Sequence, residues 1–152
     1  MFKILLLFLY INFSLVGCGY NPIYVKNKNS NFSITKIEFN GDREINNYIK
    51  SKLIRYKNNN EPNKYELEIN SSFEKIAISK DKTGKITKNN LTIGLIVTVF
   101  YDGKEKNISL SESFKLDENN DNFEQLKYEN EIKNNISDLL ISKLITNLVN
   151  IK

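Results

Sequence analysis

A chain with one thiol and no imidazole has little to offer as a catalyst. Across 152 residues there is a single cysteine, Cys18, and no histidine. That removes the commonest general base, the usual partner of a nucleophile and nearly all zinc chemistry. Carboxylates remain, but they are scattered, and no pair stands apart for acid and base work. The densest acidic run, Asp117 to Asp121 (DENND), has the outline of a calcium loop and fails it. Its sixth position is Asn122 rather than glycine, and Tyr128 stands where a bidentate glutamate belongs. The run reads instead as a loop ending in a helix cap. The chain is therefore expected to be no enzyme and to hold no metal or cofactor.

Cys18 has a different setting. The residues before it, MFKILLLFLYINFSLV, place one positive charge at Lys3 ahead of an apolar run from Ile4 to Val16, followed by the small residue Gly17. This is the layout of an export signal. Only about 13 residues separate Lys3 from Gly17, short of the roughly 20 that a membrane span requires. No second cysteine exists to form a disulfide. The tetrad Leu15-Val16-Gly17-Cys18 resembles the lipobox of bacterial lipoproteins at all four positions. The resemblance implies that residues 1–17 are cut off as a lipoprotein signal peptide and that Cys18 becomes the lipid-modified first residue, carrying palmitate-type acyl chains. One chain binds membranes marginally, at about 0.8 kcal/mol per buried CH₂, whereas two or more make a durable anchor. In this class an aspartate after the cysteine marks inner-membrane retention. Gly19 stands there instead, which points to the outer membrane, on its periplasmic side.

The elements that follow must make one domain. About 135 residues remain after cleavage, enough for a single core. Lys and Arg number 22 against 18 Asp and Glu, a net charge of +4. The signs are interleaved along the chain, so a nucleic-acid partner is not expected. Residues 18–31 form the lipidated N-terminus and a tether, with little periodicity and one of the two prolines. Residues 32–152 form the domain. Phe32 to Phe39 reads as a strand ending at Asn40-Gly41. From Asp42, a suitable N-cap, Ile45, Tyr48, Ile49, Leu53 and Tyr56 recur at helical spacing until KNNNEPN at 57–63 stops the helix. Tyr65, Leu67, Ile69 and Phe73 then alternate with Glu66, Glu68 and Asn70, a strand with one wet face. A turn-rich stretch at 79–90 precedes Leu91 to Tyr101, the most β-prone segment of the chain. Asp102-Gly103 signals a tight hairpin into Asn107 to Leu116, where Ile108, Leu110, Phe114 and Leu116 share one side. A last helix from about Phe123 to Val149 carries Leu126, Ile132, Ile136, Leu139, Leu140, Leu144, Leu148 and Val149, and is roughly 40 Å long. The expected fold is α+β, a two-layer sandwich in which about four mostly antiparallel strands pack against two helices in the order β-α-β-β-β-α.

This layout behind a lipobox resembles the LptE family of lipopolysaccharide-assembly lipoproteins in Gram-negative bacteria. The opening CGYNPIY at 18–24 is similar to that family's cysteine, glycine, aromatic, proline, tyrosine start. Residues 65–106 are similar to its central hairpins, and residues 111–148 to its last strand, loop and C-terminal helix. Two departures are Lys88, where an arginine is expected, and residues 130–134, more polar than the family's Ala-rich helix. The resemblance implies a lipoprotein that plugs the outer-membrane β-barrel LptD, supports its assembly and contacts lipopolysaccharide on its way to the cell surface. Lys80, Lys82, Lys85 and Lys88 lie together in one hairpin. They fit an ordinary solvated hairpin tip, or, by the resemblance, a contact for anionic lipopolysaccharide headgroups. Lys104 and Lys106 form a smaller second set beside Asp102 and Glu105. The alternative is an auxiliary periplasmic lipoprotein of an ABC-type lipid transporter.

Overall fold

The computed structural model describes residues 31–57, 60–119 and 121–151. The signal peptide, Cys18 and the tether through residue 30 lie outside them. The elements are β1 (Phe32–Gly41), α1 (Arg43–Leu53) with a 3-10 turn over Ile54–Tyr56, β2 (Asn63–Lys80), β3 (Ile86–Tyr101), β4 (Lys104–Asp117) and α2 (Asn122–Val149). The order β-α-β-β-β-α and the α+β class are those the patterning predicts. The four strands form one sheet in sequence order. β1 pairs with β2 in parallel because α1 crosses between them, and the later pairs are antiparallel hairpins.

Both helices lie on the same face of this sheet. Beneath them the inward positions of the strands are apolar: Leu67 and Ile69 of β2, and Leu91, Ile93, Leu95, Val97 and Val99 of β3, are all buried. Ile45, Ile49 and Leu53 of α1 and Ile136, Leu140, Leu144 and Leu148 of α2 close over them. Each such side chain contributes about 1.5–3 kcal/mol through removal from water.

Short-range chemistry sets the joints. Gly41 takes φ +92°, and a Cβ there would sit 1.9 Å from the carbonyl oxygen of Ser71. Only glycine lets the chain turn from β1 into α1 so close to β2. Asp42 then caps α1, its carboxylate accepting from the Ile45 amide at 2.9 Å. Asp102 and Gly103 both have positive φ, 47° and 71°, the geometry of a two-residue hairpin turn. The acidic run 117–121 does end in a helix cap, with Asp121 accepting from the amides of Phe123 and Glu124.

Three expectations are corrected. The stretch 79–90 is mostly strand, because β2 continues to Lys80 and β3 begins at Ile86. Its polar residues are used in the ladder, as in the Ala77–Asn89 and Ser79–Lys88 pairs. Leu126, Leu139 and Val149 are not in the core, being 61%, 46% and 36% exposed. The buried face of α2 instead takes in Gln125, Glu129, Ser137, Ile141 and Ile145. A helix of 28 residues changes neighbours along its length, so one apolar stripe does not describe it. Phe114 shares its face with Leu116 yet is 39% exposed.

Candidate functional site

Two surfaces stand out once the core is assigned. The first is the sheet face that neither described helix covers. Its β2 positions are Glu66, Glu68, Asn70, Ser72 and Glu74, and its β4 positions are Asn107, Ser109, Ser111 and Ser113, all exposed. Between them β3 presents Thr92, Gly94, Ile96 and Thr98. Gly94 lies in register with Ser72 and Ser111, and a Cβ on it would come within 2.8 Å of Ser72 Oγ. The centre of the face is thus a shallow strip flanked by hydroxyls. Thr98 donates to Asn107 at 2.8 Å, and Asn90 to Thr92 at 3.1 Å. Such a surface is rich in hydrogen-bonding groups, with Ile96 and Ile76, 57% and 49% exposed, and the half-buried Phe100 as its apolar members.

The second surface is the tip of the β2–β3 hairpin. Asp81 organises it, accepting from the Thr83 amide, the Thr83 hydroxyl and the Lys85 amide. These hydrogen bonds, the Thr83 hydroxyl first, hold its carboxyl below the usual carboxylate range. Gly84 at φ +87° completes the turn. The aspartate among the lysines is therefore committed to the backbone. Lys80, Lys82 and Lys85 are carried together at this tip, while Lys88 pairs with Asp117 of β4 at 3.0 Å. Lys104 and Lys106 belong to a different place. They sit at the β3–β4 turn, at the opposite end of β3, and 16 residues of strand put roughly 50 Å between the two sets.

A third group was not visible in the pattern. β1 ends opposite Ser71, so among the described residues the last part of β2 has no strand on its outer side and no α1 above it. There, under the first turns of α2, the contact is charged. Lys75 pairs with Glu129 at 2.8 Å and with Glu118 at 3.3 Å. Lys133 lies 4.4 Å over the Phe73 ring and pairs with Glu44 at 3.2 Å. Burial works against the charge on Lys75, but Glu129 and Glu118 more than offset it and raise its pKa above the ordinary lysine value. Asn89, buried beside them, donates to Glu118. The one sequence signal for this seat was parity: Lys75 falls on the same face as Leu67, Ile69 and Phe73.

Among the described residues, no group of His, Cys, Asp and Glu is placed to hold a metal ion, and no helix is long and apolar enough to cross a membrane.

No protein-family model matches this sequence, and no curated protein matches it. Solved structures do. The rare lipoprotein B of Shewanella oneidensis aligns with a TM-score of 0.55 at 12% identity, over 76% of this chain and 98% of that one. A lipoprotein of Caulobacter crescentus aligns at 0.52 and 12% identity, over 79% and 88%. A minor lipoprotein of Acinetobacter baumannii aligns at 0.52 and 14% identity, over 76% and 92%. The likeness is one of fold: the domain has the architecture of solved lipoproteins.

Proposed function

We propose that the chain is an outer-membrane lipoprotein of the LptE type, lipidated on Cys18 and facing the periplasm, that occupies the barrel protein LptD and assists lipopolysaccharide export. The observation that carries the reading is the polar face of a sheet whose two described helices both pack on the other side. A plug must meet a barrel interior that is polar and hydrated, and the serines, threonines and asparagines of β3 and β4 offer hydrogen bonds there, beside the glutamates of β2. The lysines of the β2–β3 tip extend the same body with cations suited to phosphates and acidic sugars. The lipobox at Leu15 to Cys18 and the fold shared with solved lipoproteins support the anchor. The protein acts here by binding, without catalysis.

The test is purification from membranes through a C-terminal tag, with bound proteins identified by mass spectrometry. A large outer-membrane β-barrel should be recovered in stoichiometric amount. It should be lost when Cys18 is kept and the domain is truncated after Asn107, with the tag moved to the new end. Recovery of inner-membrane transport proteins instead would assign the chain to an ABC-type lipid transporter.

A further inference from the structure

β4 is the last strand of the sheet, and among the described residues nothing pairs with its outer side. It runs 14 residues without proline and without a shift in its register against β3. Natural sheets interrupt such edges with bulges, prolines or close-set charges. Between Lys106 and Lys115 the one charge of β4 is Glu112, and it is paired with Lys143 of α2. Tyr101 and Lys104 close a two-residue turn, so they exchange hydrogen bonds, and the backbone groups of the even-numbered residues of β4 face β3. The odd-numbered residues, Glu105 to Asp117, turn theirs outward.

The complement of this edge is the edge itself. We propose that two copies of the chain pair antiparallel through β4, about a two-fold axis at Leu110, and join their sheets into one of eight strands. Outward backbone groups must meet outward ones, and both helical layers must stay on one side, so odd residues pair with odd and even with even. Two registers of that kind engage 13 residues of each strand, and every other is shorter. The one centred on Ser111 sets Glu105 against Asp117, like against like. The one centred on Leu110 sets Glu105 against Lys115 twice, and no like charges stand opposite.

The helical layer fits the same axis. The Asn119 amide donates to Gln125 at 2.7 Å, at the start of α2, and Lys143 pairs with Glu112, so α2 runs back along β4. Val149 lies about 9 Å beyond Lys143, or about two to three strand residues, which ends α2 level with Leu110. The two α2 helices would therefore not collide across the axis. Past that end the helix side of Lys104 and Lys106 is bare, and both are exposed. Leu139, one turn before Lys143, is level with Phe114, and the two are 46% and 39% exposed. In the pair, Lys106 stands opposite the second copy's Phe114, with its stem on the ring and its ammonium free to reach water. The inference rests on neither the barrel nor lipopolysaccharide.

The test uses the chain from residue 18 to 152 carrying Cys18→Ser, which keeps every described element and excludes a disulfide. Sedimentation at rising concentration should show a dimer at high micromolar protein. Ser111→Pro removes one outward amide and leaves the ladder to β3 whole; it should keep the native circular dichroism and stay monomeric. Glu105→Lys or Lys115→Glu alone should weaken the dimer about 5-fold, and the two together should restore it. A monomer at millimolar concentration would overturn the proposal. So would a dimer indifferent to Ser111→Pro, or single reversals that the double change does not rescue. Slow hydrogen exchange at the Asn107, Ser109, Ser111 and Ser113 amides of a monomer would overturn it too, since the chain itself would then cover the edge.

Discussion

The β2–β3 hairpin is one continuous ribbon resting on two different foundations. Its basal half, where Leu67 and Ile69 face Val99 and Val97, lies under α1 and α2 and has β1 on its outer side. Its distal half, from Ser72 outward, has lost β1 and α1 and is seated through Lys75, Glu118 and Glu129. There Ile76, Ile78 and Ile86 are 49%, 45% and 39% exposed. The two halves differ in what each touches. The basal half is stabilised by removal of apolar surface from water; the distal half still buries Leu91 and Ile93 but adds ion pairs at a partly wet boundary. Burial fixes a rigid frame; ion pairs hold an arm whose attachment responds to pH and salt.

The comparison can be broken most directly at its strong end. Leu95→Ala removes a fully buried side chain at the centre of the sheet and should cost about 2–5 kcal/mol of global stability in denaturant titration. A loss well below that range would mean the basal half is not the frame. Next comes the seat of the arm. Lys75→Met leaves Glu129, whose side chain is 11% exposed, with only Lys133 at 3.7 Å, and should cost about 1–3 kcal/mol. Hydrogen exchange should quicken at the start of α2 and along the distal ladder before it quickens at Leu67 or Val97.

The same lysine gives a pH signature. Its folded pKa is raised, so its stabilisation is complete below the unfolded value of 10.5 and is lost as pH rises through the folded value. Stability followed into the alkaline range should fall more for the native chain than for Lys75→Met, and equal slopes would refute the assignment. A smaller change in stability separates binding from folding at the tip. Replacing Lys80, Lys82, Lys85 and Lys88 together by Gln should alter stability by about 0.5 kcal/mol or less, while weakening retention on lipopolysaccharide micelles and reducing its salt dependence. Unchanged retention would return the tip to an ordinary solvated turn. Smallest of all, Ile96→Ala on the uncovered face should shift the unfolding midpoint by no more than experimental scatter, in contrast to Leu95→Ala beside it.

Much of the frame was legible in the residues. Alternation announced β2 and β4, β-prone composition announced β3, Asp42 and the acidic run 117–121 marked the two helix starts, and Asp102-Gly103 marked its turn, because each signal acts over a few residues. What was misread depended on distant neighbours. Leu126 looks as core-forming as Leu140, yet only Leu140 has a sheet beneath it. The polar run at 79–90 resembles a loop by composition and is strand because each side of the hairpin supplies the other's hydrogen bonds. Lys75 and Glu129, 54 residues apart, gave no mutual signal.

Sequence alone determined the class of elements and their order, since local sterics and periodicity suffice for those. Tertiary structure alone decided that β1 pairs in parallel and stops at Ser71, that one sheet face stays uncovered, and that the two lysine sets stand at opposite ends. Those properties are sums over contacts between residues far apart in the chain, and no local pattern encodes them.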